Sequence, residues 1–146
     1  MTEMTPDLVM EGLSVWIHGR EFPDSNDFWD GNWLRLRATM AADEAKVTID
    51  GAYLRIEDFA RFHKQLAEMH SSLSGEAALG GLEPNISLTL KMHRTGHVAG
   101  SVEITPDHVE QFHRFEFGLD QSYLPPILDS LEALLAAYPV RDSSRS

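Results

Sequence analysis

Seven histidines are the residues of this chain best suited to bind a metal or move a proton, because imidazole titrates closest to neutrality. Their spacing argues against a metal site. His63 and His70 stand seven apart in a stretch of helical period, whereas zinc ligands sharing a helix face stand three or four apart. His93 and His97 flank a turn and could converge across a hairpin, and His108 and His113 fall in or beside a loop. None has a second ligand pair at a recognisable spacing, so no metal and no other cofactor is expected. The densest acids are Asp24, Asp27 and Asp30. Asp24-Ser25-Asn26 opens like a calcium loop, but Phe28 takes the third ligand position and the required Gly and closing Glu are out of place. No Gly-x-Ser-x-Gly elbow raises a serine nucleophile, and Gly80-Gly81 precedes Pro84 without opening a helix, so no phosphate loop forms. With no cysteine, thiol chemistry, disulfides and iron–sulfur clusters are excluded. The expectation is that the chain is not an enzyme. The alternative is an enzyme or small-ligand-binding protein whose site gathers scattered histidines and carboxylates on a sheet face.

The elements that would position such residues follow from the apolar period. Leu13, Val15 and Ile17 alternate with Ser14, Trp16 and His18, which is a half-buried strand. Leu34, Leu36, Ala38 and Met40 alternate with Trp33, Arg35, Arg37 and Thr39, and a third strand runs from Val47 to Ile56 with a bend at Gly51. The period then lengthens. Phe59, Phe62, Leu66, Met69 and Leu73 form one helical stripe, with Glu57 and Asp58 at its start and Gly75 just past its end. Strands at Ile86–His93 and His97–Thr105 flank a turn at Arg94-Thr95-Gly96, and Phe115, Phe117 and Leu119 mark a last strand. A second helix carries Leu124, Ile127, Leu128, Leu131, Leu134, Leu135 and Tyr138, with Pro125 and Pro126 in its first turn. The predicted fold class is α+β in the order βββαβββα: an antiparallel sheet of about six strands with two helices packed on one face.

The length of 146 residues suits one domain over 1–146. The polar ends, residues 1–7 and 141–146, are expected to be flexible. The N-terminal stretch lacks the charge and apolar run of a secretory signal. No apolar run approaches the roughly 20 residues of a membrane span. With the lack of cysteine, this makes a soluble cytoplasmic protein the expectation. Net charge is −11, from 23 acids and 12 bases. That sign repels phosphate backbones and anionic membrane surfaces, so neither nucleic acid nor membrane is an expected partner, and it favours encounter with basic proteins.

Two stretches are dense in aromatics: Phe28-Trp29-Asp30-Gly31-Asn32-Trp33-Leu34, and Phe115 through Tyr123 to Pro125. Together, Trp29 to Leu34 and the run Phe115-Glu116-Phe117 with Asp120-Gln121-Ser122-Tyr123-Leu124-Pro125 resemble the WapI-type bacterial immunity proteins and their uncharacterised relatives, and the order of elements between the motifs fits too. That resemblance implies a small cytoplasmic bacterial protein that neutralises a toxin domain, such as a nuclease, by binding it. It implies no catalytic residue. Between Arg20 and Arg35 the chain holds Glu21, Asp24, Asp27 and Asp30 and no base, beside Phe22, Phe28, Trp29 and Trp33. Acid beside aromatic suits an interface with a basic protein, because aromatics supply desolvated anchors and charge supplies steering. Glu21, Phe22, Asp24, Asp27, Phe28 and Asp30 are the candidate partner-binding residues. An inward turn that caps the sheet is the competing arrangement, better suited to Trp29 and Trp33 than to Phe22. Alternating strands also leave sheet edges, so any self-association is expected to be a homodimer through an edge or wet face.

Overall fold

The chain alternates between two backbone periods, and the structure, a computed structural model describing residues 5–142, follows them closely. Eight strands and two helices run in the order ββββαββββα: β1 (Leu8–Met10), β2 (Leu13–Arg20), β3 (Trp33–Ala42), β4 (Ala45–Arg55), α1 (Ile56–Ser72), β5 (Glu76–Leu79), β6 (Ile86–Met92), β7 (His97–Ile104), β8 (Arg114–Asp120) and α2 (Leu124–Ala137). The strands form two four-stranded antiparallel sheets in sequence order, β1 to β4 and β5 to β8.

This corrects the expected single sheet of about six strands. Two short strands, β1 and β5, add to the six expected. In β1, Leu8 and Met10 are buried while Val9 faces out, but three residues are too few to display a period. In β5, Ala77 and Leu79 point inward, and alanine gives little contrast against its neighbours. Each short strand completes its half, and α1 carries the chain from one sheet to the other. One core cluster then joins the inward faces of both sheets to both helices. The helices are therefore part of a core shared between two sheets, rather than a layer on one face of a single sheet.

The expected alternations hold. Leu13, Val15 and Ile17 are buried, as are Leu34, Leu36, Ala38 and Met40. A bulge breaks the β3–β4 register where Leu34 pairs with Leu54 and Leu36 with Gly51, at the bend expected there. On α1, Phe59, Phe62, Leu66 and Met69 face the core. Leu73 does not. It is the left-handed cap residue (φ 54°) and stands exposed, so the helix stops before Gly75, itself at φ 90°. On α2, Leu124, Ile127, Leu131 and Leu134 are buried, and the two prolines occupy its first positions, where a missing N–H costs little. A 3-10 turn (Gln121–Tyr123) precedes it, capped by the Asp120 carboxylate, which accepts from the Ser122 N–H at 2.9 Å.

Within the terminal segments 1–7 and 141–146, the described residues make contacts with the body of the fold. Asp7 accepts from the Ile17 N–H at 2.7 Å, and Arg141 is tied into the β2–β3 loop. The outer parts of both segments, residues 1–4 and 143–146, lie outside the described residues.

Candidate functional site

The β2–β3 loop, residues 21–32, has no regular structure of its own, so its backbone polar groups need partners from elsewhere. Three arginines and one asparagine supply them. Asn32 is fully buried and works in three directions: its amide donates to the carbonyl oxygens of Phe28 (2.9 Å) and Arg141 (2.8 Å), and its Oδ1 accepts from the Arg141 N–H (2.8 Å). Arg20 donates to the Gly31 carbonyl at 2.7 Å and to the carbonyl of Pro139. Burial first, and the neighbouring Arg141 cation second, lower its pKa from the ordinary value, against a raising contribution from Tyr138. A guanidinium remains a cation at neutral pH all the same. Arg141 donates to the carbonyls of Pro23 and Ser25.

Arg55 closes the loop from below. It is buried, donates to the carbonyls of Phe28 (2.7 Å) and Trp29 (3.3 Å), and pairs with Glu57 at 3.0 Å. Its guanidinium lies 5.1, 5.6 and 5.7 Å from the ring centroids of Phe28, Trp29 and Trp33, within cation–π range. Phe28 and Trp29 meet edge to face at 4.9 Å.

The candidate partner-binding residues take unequal places on this frame. Phe22, Asp24 and Asp30 are exposed, and Glu21 is half-buried and paired with Arg35 at 3.4 Å. Asp27 is half-buried and accepts from the Trp29 N–H at 3.1 Å, so it shapes the loop from within. Phe28 is buried, with 7% of its surface exposed, while Trp29 next to it is 62% exposed. The aromatic that faces solvent is thus Trp29, the one expected to suit an inward turn, and Phe28, the candidate contact, is the one that turns in. Trp33 is half-buried. The deciding partner is Arg55, which no local spacing reveals because it lies far along the chain.

The histidines meet at most in pairs. His63 meets Glu132 on α2 at 3.3 Å, His93 and His97 stack at 6.1 Å, and His113 bonds Gln111 at 3.1 Å. Among the described residues no three His, Asp or Glu side chains are grouped as a metal would require. Trp16 is half-buried on β2, opposite Arg37. No helix among the described residues is long and apolar enough to cross a membrane.

A model of the immunity protein WapI-like family matches residues 9–139. This chain belongs to that family. The match takes in nearly all of the eight strands, both helices and the whole of the pinned loop, so a WapI-like protein is what the fold and loop must be read as. No curated protein matches the chain. Among solved structures, WHY3 from Arabidopsis thaliana shares 7% identity at a TM-score of 0.51, covering 94% of this chain and 90% of that one. A toxin and immunity complex, CdiA-CT/CdiI from Enterobacter cloacae, contains a chain with 13% identity and a TM-score of 0.44, covering 69% of this chain and 89% of that one. WHY1 from Arabidopsis thaliana shares 10% identity at a TM-score of 0.49, covering 92% and 86%. At such identities the likeness to WHY3 speaks of the fold of this WapI-like protein alone.

Proposed function

We propose that this protein neutralises a toxin domain by binding it directly, in the cytoplasm of the bacterium that makes it. The observation that carries this reading is the match to the WapI-like immunity family over residues 9–139. The pinned β2–β3 loop supports it. Binding needs a surface already held in its bound shape, because ordering a loop on association costs affinity. Arg20, Asn32, Arg55 and Arg141 hold this loop in the free protein. The three arginines direct their charge at backbone carbonyls, and Arg55 at Glu57 as well; Asp24 and Asp30 have no ion-pair partner among the described residues. Exposed acids beside Phe22 and Trp29 suit a basic partner, of which a nuclease toxin domain is one kind. The candidate contact residues remain Glu21, Phe22, Asp24, Asp27, Phe28 and Asp30, with Asp27 and Phe28 acting through the shape they give the loop.

Two-fold self-association, if present, would use a sheet edge such as β8, the last strand of its sheet. The test of the main reading is co-purification. A toxin domain isolated from the source organism as the candidate target should elute with the full chain as one complex, and separate elution of the two at micromolar concentration would refute direct binding.

A further inference from the structure

We infer that the partner-binding surface is a composite rim of three loops at one end of the molecule, and that its occupant is a protein with a basic surface. This rests on the reading of the chain as an immunity protein and extends it beyond the β2–β3 loop. The other two loops are β5–β6, residues 80–85, and β7–β8, residues 105–113. In an antiparallel meander these two connections fall at the same end of their sheet.

A chain of contacts joins them to the first loop. Arg55 holds the carbonyls of Phe28 and Trp29, and its own N–H donates to Asp58 at 2.9 Å. Gly81 lies against the Asp58 carboxylate so closely that a Cβ there would stand 2.4 Å from Oδ2. Further along the same loop, Asn85 and Thr105 exchange bonds: the Thr105 N–H donates to the Asn85 carbonyl at 2.9 Å, and the Asn85 amide donates to the Thr105 carbonyl at 3.0 Å. All three loops are thereby braced into one edge.

Composition separates this edge from the rest of the surface. The three loops comprise 27 residues, hold seven of the 23 acids and none of the 12 Lys and Arg, and so supply −7 of the net −11. They also carry five of the nine large apolar side chains exposed among the described residues: Phe22, Trp29, Leu82, Val109 and Phe112. Leu82, Val109 and Phe112 are 74%, 79% and 71% exposed. Fewer than one residue in five thus supplies over half of the exposed apolar anchors. The nearby cations are committed: Arg61 to Asp58 at 2.8 Å, and Arg20, Arg55 and Arg141 to carbonyls. Between the second and third loops a hollow of ≈ 150 Å³ is bounded by Pro84, Glu103, His108, Phe112 and His113. An aromatic face beside a carboxylate suits the long side chain of a partner's Lys or Arg. Apolar anchors within an acidic field give a basic protein both affinity and steering.

The test uses as the probe the same candidate toxin domain named for the co-purification, with the full chain as the binder. Glu110→Lys with Phe112→Ala alters the third loop, and Leu82→Ser with Glu83→Lys alters the second. Glu44→Lys with Tyr123→Ala makes a like change at the β3–β4 turn and the 3-10 turn, outside the three loops. Each rim pair should raise Kd by about 30-fold, the loss typical of an interface anchor, at an unchanged melting temperature. The control should stay within about threefold. Rim variants that bind as tightly as the unaltered chain would overturn the composite rim while leaving the immunity reading intact. An unaltered chain that does not bind the probe would overturn both.

Discussion

Asn32 and Arg55 decide the shape of the β2–β3 loop, and each makes a separate prediction. Replacing Asn32 by Ala removes the partner of the Arg141 N–H and of the Arg141 carbonyl, and leaves the Phe28 carbonyl with Arg55 alone. An unsatisfied buried polar group costs roughly 1–3 kcal/mol, so this variant should lose at least that much in a denaturant titration. Removing Arg55 takes its cation away from Glu57 and its donors away from the Trp29 carbonyl and from the Phe28 carbonyl, which keeps the Asn32 amide. Breaking a fully buried pair costs about 3–5 kcal/mol; Glu57 is half-buried, so Arg55→Ala should cost up to that much and be the more damaging of the two. Asp120 makes a prediction about pH. The hydrogen bonds from Ser122, its side chain first and its N–H second, lower the Asp120 pKa, and His97 adds to the effect. A carboxylate depressed on folding stabilises the folded state fully above the ordinary carboxylate range of about 4, and that contribution fades as pH falls through the folded value. The melting difference between Asp120→Ala and the unaltered chain should therefore be largest at neutral pH and shrink near pH 2. A difference that grows on acidification would contradict the assignment. At this scale the sequence was partly readable. Phe22, Asp24 and Asp30 are exposed as an interface would need, but adjacent Phe28 and Trp29 in an aperiodic loop carry no signal for which turns inward.

Among elements, long ones were readable and short ones were not. The alternations in β2, β3, β6 and β7 and the stripe on α1 each repeat often enough to fix type and facing. The three residues of β1 and the four of β5 do not, and without them the division into two sheets stays hidden. Partition between sheets is set by which strand edges meet, a long-range fact that period alone cannot express. Close approach is another. Gly100 on β7 pairs with Phe117 on β8, and the Phe117 ring lies over it so that an added Cβ would stand 2.4 Å away. Gly100→Ala should force the ring aside and cost about 1–3 kcal/mol, as overpacking does. The tool is thermal melting, with near-ultraviolet circular dichroism reporting the aromatic packing. An unchanged melting temperature would show that the ring moves freely.

For the whole molecule, charge is the property that reaches a partner first. Asp24 and Asp30 are exposed on the β2–β3 loop, whereas Asp27 is engaged within it. Asp24→Lys with Asp30→Lys should therefore change stability by less than about 0.5 kcal/mol. It should slow association with a basic toxin domain at low salt, and that difference should narrow as ionic strength rises. Equal rates at both salt levels would reduce this loop's acids to a solubility device.

The central claim is inhibition by stoichiometric binding, and the most direct measurement is a titration of toxin activity with this protein, read after short and long incubation. Binding predicts that activity falls in proportion to added protein, reaches its floor at one chain per toxin domain, and is the same at both times. Complete loss at one chain per ten toxin domains, deepening with time, would mean that the protein destroys or modifies its target catalytically, and would contradict neutralisation by binding.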